Sequence, residues 1–242
     1  MRNRAARCYD TGVISNPATD PERIRSMFAS IATRYDRANT ILSAGVHLAW
    51  RRRAVRRAGV RQGQRVLDCA TGTGDMAIRF RDRGADVVGI DFTPQMIELA
   101  RAKAPSIRFE VADVMSLPFS SDSFDVANIA FGIRNVADPA IGIAEMARVV
   151  RSGGRVVVLE FGQPRNRALR PFYDLYRKHL LPRLGAAVTG DREAYEYLES
   201  STARFPCGKE FADLMHASAR FAEVSFEPLT FGVAYLYLGI TA

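Results

Sequence analysis

Apolar and polar residues follow two alternating rhythms along this chain, and each change of rhythm marks an element. Val66-Leu67, Val87 to Ile90, Ile107 to Val111, Phe124 to Ala130 and Arg155 to Phe161 are short apolar runs of the kind that form buried strands. Between them, apolar positions recur at helical spacing. Met96, Leu99 and Ala100 follow the cap-and-proline pair Thr93-Pro94. Ile143, Met146, Ala147 and Val150 follow Asp138-Pro139, and Gly153-Gly154 is expected to stop that helix. Beyond Gln163-Pro164 a polar and aromatic region interrupts the alternation, with helical stretches around Phe172 to Leu184 and Arg192 to Ala203. A helix near Phe211 to Ala217 and two last strands, Phe221 to Phe226 and Phe231 to Leu238, resume it. Ahead of the first strand, Asp20-Pro21 starts a helix carrying Ile24, Met27, Phe28 and Ile31, and a second helix is expected from Ile41 to Arg57.

This succession predicts an α/β fold: a doubly wound, mostly parallel, seven-stranded sheet with an N-terminal helical extension and a helical insertion before the last two strands. Residues 1–19 read as a mobile tail and residues 20–242 as one domain. Within it, 20–60 form a helical cap and 165–205 a lid-like insertion.

Composition narrows the picture. With 242 residues, 48% hydrophobic and 25% charged, the chain can bury one substantial core. The net charge of +8 raises the question of nucleic acid, but among the 34 basic residues only Lys103, Lys178 and Lys209 are lysine, a bias that codon composition explains as readily as a binding surface. No nucleic-acid partner is expected. The densest basic run, Trp50 to Arg57, reads as a helix whose charged face is either simply solvated or in contact with anionic headgroups or a partner. Cys8, Cys69 and Cys207, like His47, His179 and His216, are too scattered for a disulfide framework or a metal site. No apolar run approaches a membrane span and no secretory signal is visible, so a cytoplasmic location is expected.

Candidate chemistry concentrates between Arg65 and Asp91. Gly72 and Gly74 let the backbone turn tightly and approach a ligand, the following helix points its N–H groups at that ligand, and Asp91 ends the second strand where a carboxylate can take both ribose hydroxyls. Gly72 to Ala77 also satisfies the G-x-G-x-x-G/A pattern of dinucleotide enzymes. The acids Asp68, Asp75, Asp91 and Asp113 move the balance. A pyrophosphate at the helix N-terminus would be repelled by Asp75, whereas the ammonium and sulfonium of S-adenosylmethionine suit a carboxylate-lined crevice.

More specific motifs lie downstream. Arg34-Tyr35-Asp36, Asp68 to Asp75, Leu117-Pro118-Phe119, Ala130-Phe131-Gly132-Ile133-Arg134-Asn135-Val136, Leu159-Glu160-Phe161, Leu181-Pro182-Arg183 and Tyr195-Glu196-Tyr197-Leu198 together resemble the class I, Rossmann-like methyltransferases that methylate carbon in menaquinone and ubiquinone biosynthesis, the UbiE/MenG type. The resemblance spans about residues 22 to 240. It implies that Gly72, Thr73, Gly74, Asp91, Asp113 and Val114 hold S-adenosylmethionine. Thr73 would serve the methionine end, Asp91 the ribose, and Asp113 and Val114 the adenine. Ala130 stands where some relatives carry serine, so one hydroxyl contact is lost.

The implied acceptor is a demethylated prenyl quinol, most simply demethylmenaquinol, with the benzoquinol step of ubiquinone biosynthesis as the alternative. Arg134 is the expected cation for the developing phenolate, with an ion pair to an acid such as Asp36 as its structural reading. Asn135 is a candidate hydrogen-bond partner for the second ring oxygen, and Tyr35 for orienting the ring. The prenyl tail calls for an apolar groove and peripheral contact with the inner face of the cytoplasmic membrane, for which Trp50 and Tyr173 to Tyr176 are candidates. Oligomeric state is left open, a homodimer included.

Overall fold

In a computed structural model, residues 21–164, Leu175 and 192–242 are described. Seven strands, β1 Arg65–Cys69, β2 Asp86–Asp91, β3 Arg108–Val111, β4 Phe124–Ala130, β5 Val150–Phe161, β6 Phe221–Leu229 and β7 Ala234–Thr241, form one sheet. Their order is β3-β2-β1-β4-β5-β7-β6. The first five strands are parallel, and β7 runs antiparallel to both β5 and β6. The order reverses between β1 and β4, so a crevice opens beyond their carboxyl ends, where doubly wound sheets take ligands.

Helices cover both faces because successive strand residues point to opposite sides. Val66, Val87, Val126 and Val157 pack against α3 (Val46–Ala58), α4 (Asp75–Arg81) and α5 (Pro94–Lys103) through Trp50, Ala54, Phe80 and Ile97. Leu67, Val88, Ile129 and Val158 pack on the other side against α6 (Pro139–Val149) and α8 (Lys209–Ser218) through Ile143, Met146, Phe211 and Met215. Asp138 caps α6, accepting from the Ala140 and Ile141 N–H groups. Two more helices, α1 (Pro21–Ile31) and α2 (Tyr35–Leu42), lie before α3, and α7 (Arg192–Arg204) precedes α8. Ile31 is buried among Met27, Phe28, Leu42 and Leu198, so α1, α2 and α7 share a small apolar cluster of their own.

Three boundaries differ from expectation. The helix expected over 41–57 is two, because Ala44 and Gly45 take left-handed φ values of 47° and 75° and break the ladder between α2 and α3. Gly153-Gly154 does not stop α6. That helix ends at Val149, Val150 is already extended and paired with Phe124, and the glycines sit in the irregularity that shifts the β4–β5 register. A Cβ on Gly154 would lie 2.4 Å from Val150 Cγ1. The last strand starts at Ala234, while Thr230–Gly232 form a tight 3-10 turn ahead of it. The expected tail, 1–19, and residues 165–174 and 176–191 of the expected insertion lie outside the described residues.

Candidate active site

A cleft opens at the switch point, with about 800 Å³ of empty space that includes the open solvent at its mouth. Its floor is the carboxyl ends of β1 and β4, where Ala70 (φ 47°) and Phe131 (φ 60°) are both left-handed. Such conformations in non-glycine residues concentrate at functional sites. Gly132, beside Phe131, is obligatory for a different reason: a Cβ there would stand 2.5 Å from that of Ala70, so the exits of the two strands could not approach.

One half of the cleft carries the acids. Gly72 lines it with φ 56°, and a Cβ there would meet no atom within 4 Å, which leaves the backbone bare to a ligand. Asp91 ends β2 with one carboxylate oxygen accepting from the Gly72 N–H and the other from the Thr93 N–H, each at 2.9 Å. Burial pushes its carboxyl above the ordinary range, against the pull of these backbone donors. Two acceptor oxygens carry about four lone-pair sites, so the carboxylate retains capacity for two hydroxyls. Asp113, Val114, Met96 and Met115 continue this half, the Asp113 carboxylate also accepting from the Met115 N–H at 2.9 Å. Bare glycine backbone, a buried acid at a strand end and the apolar side chains of Met96, Val114 and Met115 fit a nucleoside.

Among the described residues that line the cleft, Thr73, Gly74 and Asp75 are not found. Gly74 opens α4 with φ 86°, and its missing Cβ makes room for Phe109 Cζ at 3.0 Å, so it serves helix–strand packing. The Thr73 hydroxyl donates to Asp36 at 2.8 Å. Lys103 joins the Asp36 carboxylate at 2.8 Å to that of Asp75 at 2.5 Å, and Arg51 donates to the second Asp75 oxygen. Burial alone would raise the Asp75 carboxyl, but Arg51 and Lys103 outweigh it and hold it below its ordinary value. The expected repulsion of a pyrophosphate by Asp75 is therefore corrected: two cations neutralise this acid, which fastens α2, α3 and α5 to the glycine loop. Asp68 is also structural, buried at 1% exposure beneath Thr71 and Asn128 at 2.6 and 2.7 Å.

The other half is mostly apolar. Phe28 from α1, Phe131 and Val136 line it, with Asn135 as a polar side chain. Tyr197 of α7 donates its hydroxyl to Asn135 Oδ1 at 3.2 Å, which turns the amide nitrogen away from Tyr197. Burial raises the Tyr197 phenol, so it stays a donor at neutral pH. Arg134 departs from expectation. Its guanidinium is 6% exposed and donates to Glu160 Oε1 and to the Phe131 carbonyl, both at 2.7 Å. Glu160, 1% exposed, also accepts from the Phe161 N–H at 2.8 Å. Arg134 is thus neutralised and set behind the cleft wall, and its acid is Glu160 rather than Asp36. The pair locks the Ile133–Asn135 turn to β5 and so holds Asn135 where it is. The signal for it was in the sequence as Leu159-Glu160-Phe161, at the end of the strand next to β4. Tyr35 begins α2, but its side chain lies outside the described residues.

This geometry has counterparts. The ubiE/COQ5 methyltransferase family model matches residues 17–241. The chain is 47% identical over 233 residues to the ubiquinone/menaquinone biosynthesis C-methyltransferase UbiE of Bdellovibrio bacteriovorus, covering 93% of this chain and 99% of that one. It is 46% identical over 224 residues to the demethylmenaquinone methyltransferase of Deinococcus radiodurans, covering 90% and 92%. In fold it matches a SAM-dependent methyltransferase of Thermotoga maritima, described as a possible histamine N-methyltransferase, with a TM-score of 0.66 at 20% identity, covering 90% of this chain and all of that one. The chain belongs to the ubiE/COQ5 methyltransferase family, and is an enzyme that takes its methyl group from S-adenosylmethionine.

Proposed function

We propose that this enzyme methylates a ring carbon of a demethylated prenyl quinol, demethylmenaquinol first and the equivalent benzoquinol of ubiquinone biosynthesis as the alternative. The observation that carries this reading is the division of one cleft into an acid-bearing half and an apolar half whose polar side chain, Asn135, is oriented by Tyr197. The names of the relatives in Bdellovibrio bacteriovorus and Deinococcus radiodurans support the same acceptor class.

In the cofactor half, Gly72 presents backbone, Asp91 accepts from the ribose hydroxyls, Asp113 accepts from the adenine amine, and Val114 packs on the ring. Thr73 and Gly74 shape the loop from behind, through Asp36 and Phe109. S-adenosylmethionine, when bound, supplies an electrophilic methyl on a positively charged sulfur.

In the acceptor half, the quinol ring lies between Phe28 and Phe131, with one oxygen against the Asn135 amide nitrogen. A ring carbon becomes a competent nucleophile as a ring hydroxyl passes its proton to water, and Asn135 donates to the oxygen on which charge grows. Arg134 is a positioning residue: with Glu160 it holds the turn that aims Asn135. The ring carbon gains the methyl and then loses its proton to water, which restores aromaticity. Alignment and exclusion of water carry the rate, and Phe28 and Tyr197 bring α1 and α7 over the cleft for that purpose.

The prenyl tail implies peripheral contact with the inner face of the cytoplasmic membrane. No helix among the described residues is long and apolar enough to cross one. The test is methyl transfer by purified protein to each reduced acceptor in turn. Turnover of demethylmenaquinol above the benzoquinol supports the reading, and turnover of neither contradicts it.

A further inference from the structure

Trp50, which the sequence offers to the membrane, is 6% exposed. Its indole N–H donates to Thr230 Oγ1 at 2.9 Å, and its ring stands 6.2 Å from Phe131 and 6.3 Å from Phe161. The turn it grips carries another ring outward. Phe231 is 73% exposed, the most exposed large apolar side chain among the described residues. Thr230 and Phe231 both hold left-handed φ values, 44° and 59°, a conformation that bulky residues avoid unless the fold imposes it.

This turn joins β6 to β7, and Ala234 pairs with Phe161 at the end of β5, so Phe231 stands on the same edge of the sheet as the cleft. Phe131, against Trp50, is a wall of that cleft. Helix α3 runs from this edge to the opposite one, where the Ala58 carbonyl accepts from Arg155 at 3.0 Å. Val46, one turn before Trp50, and Ile41, at the end of α2, are exposed near its start. Farther along α3, Arg53 and Arg57 share one carboxylate, that of Glu227, at 2.8 and 3.7 Å. Arg56 also acts on that carboxylate, and among the described residues no acid pairs with the exposed Arg52. The face therefore combines an apolar tip with an excess of guanidinium charge.

We propose that Phe231, with Val46 and Ile41, inserts into an anionic bilayer surface while Arg52 takes a lipid headgroup, so that the cleft opens at the interface. A bilayer suits this face better than a protein partner does, because the apolar part is a few separate side chains with an excess of guanidinium charge on the helix beside them rather than one continuous patch. The inference deepens the prenyl-quinol reading and rests on it for the reason that the enzyme visits a membrane.

The experiment is co-sedimentation of the full chain with phosphatidylcholine vesicles, with and without phosphatidylglycerol, across a salt series. The wild type is expected to sediment with the anionic vesicles and to be released by salt. F231S should weaken partitioning about tenfold, and R52Q about fivefold, while F231L retains most of it. F231S should melt with the wild type and turn over a tail-less quinol at the wild-type rate. F231S partitioning like the wild type, or a wild type that ignores anionic vesicles, overturns the proposal. So does self-association of the wild type that F231S abolishes without any vesicle binding. If neither quinol is methylated but vesicle binding still depends on Phe231, the surface stands and the acceptor reading falls.

Discussion

Tyr197 and Asn135 meet beside the cleft, the phenol donating to the amide oxygen at 3.2 Å from a helix that follows the last parallel strand. The contact links the α7 cap to the turn after β4 and leaves the amide nitrogen to act as the donor in the apolar half.

Asn135→Ala should therefore lower kcat by about 100- to 1,000-fold, the range for removing one donor to a developing oxyanion. Its affinity for S-adenosylhomocysteine should change little. Tyr197→Phe should have a smaller effect, about threefold to tenfold, because it frees the amide to turn without removing it. Steady-state kinetics with calorimetric titration separates these outcomes, and a parallel fall in cofactor affinity would move Asn135 out of the acceptor half.

Arg134 and Glu160 form a buried pair, and a pair of that kind is costly to halve. Glu160→Leu or Arg134→Leu alone should destabilise the fold by about 3–5 kcal/mol, since each leaves a buried charge unmatched. The double variant should recover much of that loss, a coupling that urea denaturation of all four proteins measures. Additive losses would mean that the pair does not act as a unit.

Asp91 should matter to the cofactor and not to the fold's acceptor side. Asp91→Asn keeps one acceptor oxygen and puts an N–H₂ group against the other of the two donors, the Gly72 or the Thr93 N–H. A fall in S-adenosylhomocysteine affinity of about 10- to 100-fold follows from losing an acceptor for ribose and disturbing the loop. Unchanged affinity would remove Asp91 from the ribose site.

Acid should loosen the α3 attachment through His47. Burial, and then Arg51, lower its pKa from 6.5 to about 4. Between those values the unfolded chain takes up a proton that the folded chain refuses, so this group's contribution is present above pH 6.5 and is lost as pH falls toward 4, by at most about 3 kcal/mol. Asp68 acts in the opposite sense, because burial raises its pKa from 3.8 to about 6 and stability is lost as pH rises through that window. The two largely offset one another in the wild type. The difference in stability between His47→Gln and the wild type isolates the first, and it should shift in favour of the variant as pH falls from 6.5 to 4. A difference independent of pH contradicts the assignment.

The sheet was legible in the sequence because its signals are local. Short apolar runs, the glycine turn and the Asp138-Pro139 cap each act within a few residues, and their alternation admits little but a doubly wound sheet. The acid-bearing half of the cleft was legible for the same reason, since Gly72, Asp91, Asp113 and Val114 all lie at strand ends and all line it. Contacts between distant segments were not. Arg134 was expected to face the acceptor, with an ion pair to an acid such as Asp36 as the alternative, whereas adjacency of β4 and β5 gives it Glu160. Asp75 looked like an open charge because Arg51 and Lys103 reach it from two other helices. Trp50 sits in a basic run that reads as a surface, yet its ring is needed inside, between Phe131 and Phe161.

The central claim concerns the atom that receives the methyl. Incubation of the purified chain with demethylmenaquinol and carbon-labelled S-adenosylmethionine, followed by NMR of the product, locates the label directly. The account predicts a methyl on the ring carbon. A label on oxygen, or no transfer to this quinol or its benzoquinol counterpart, would contradict it.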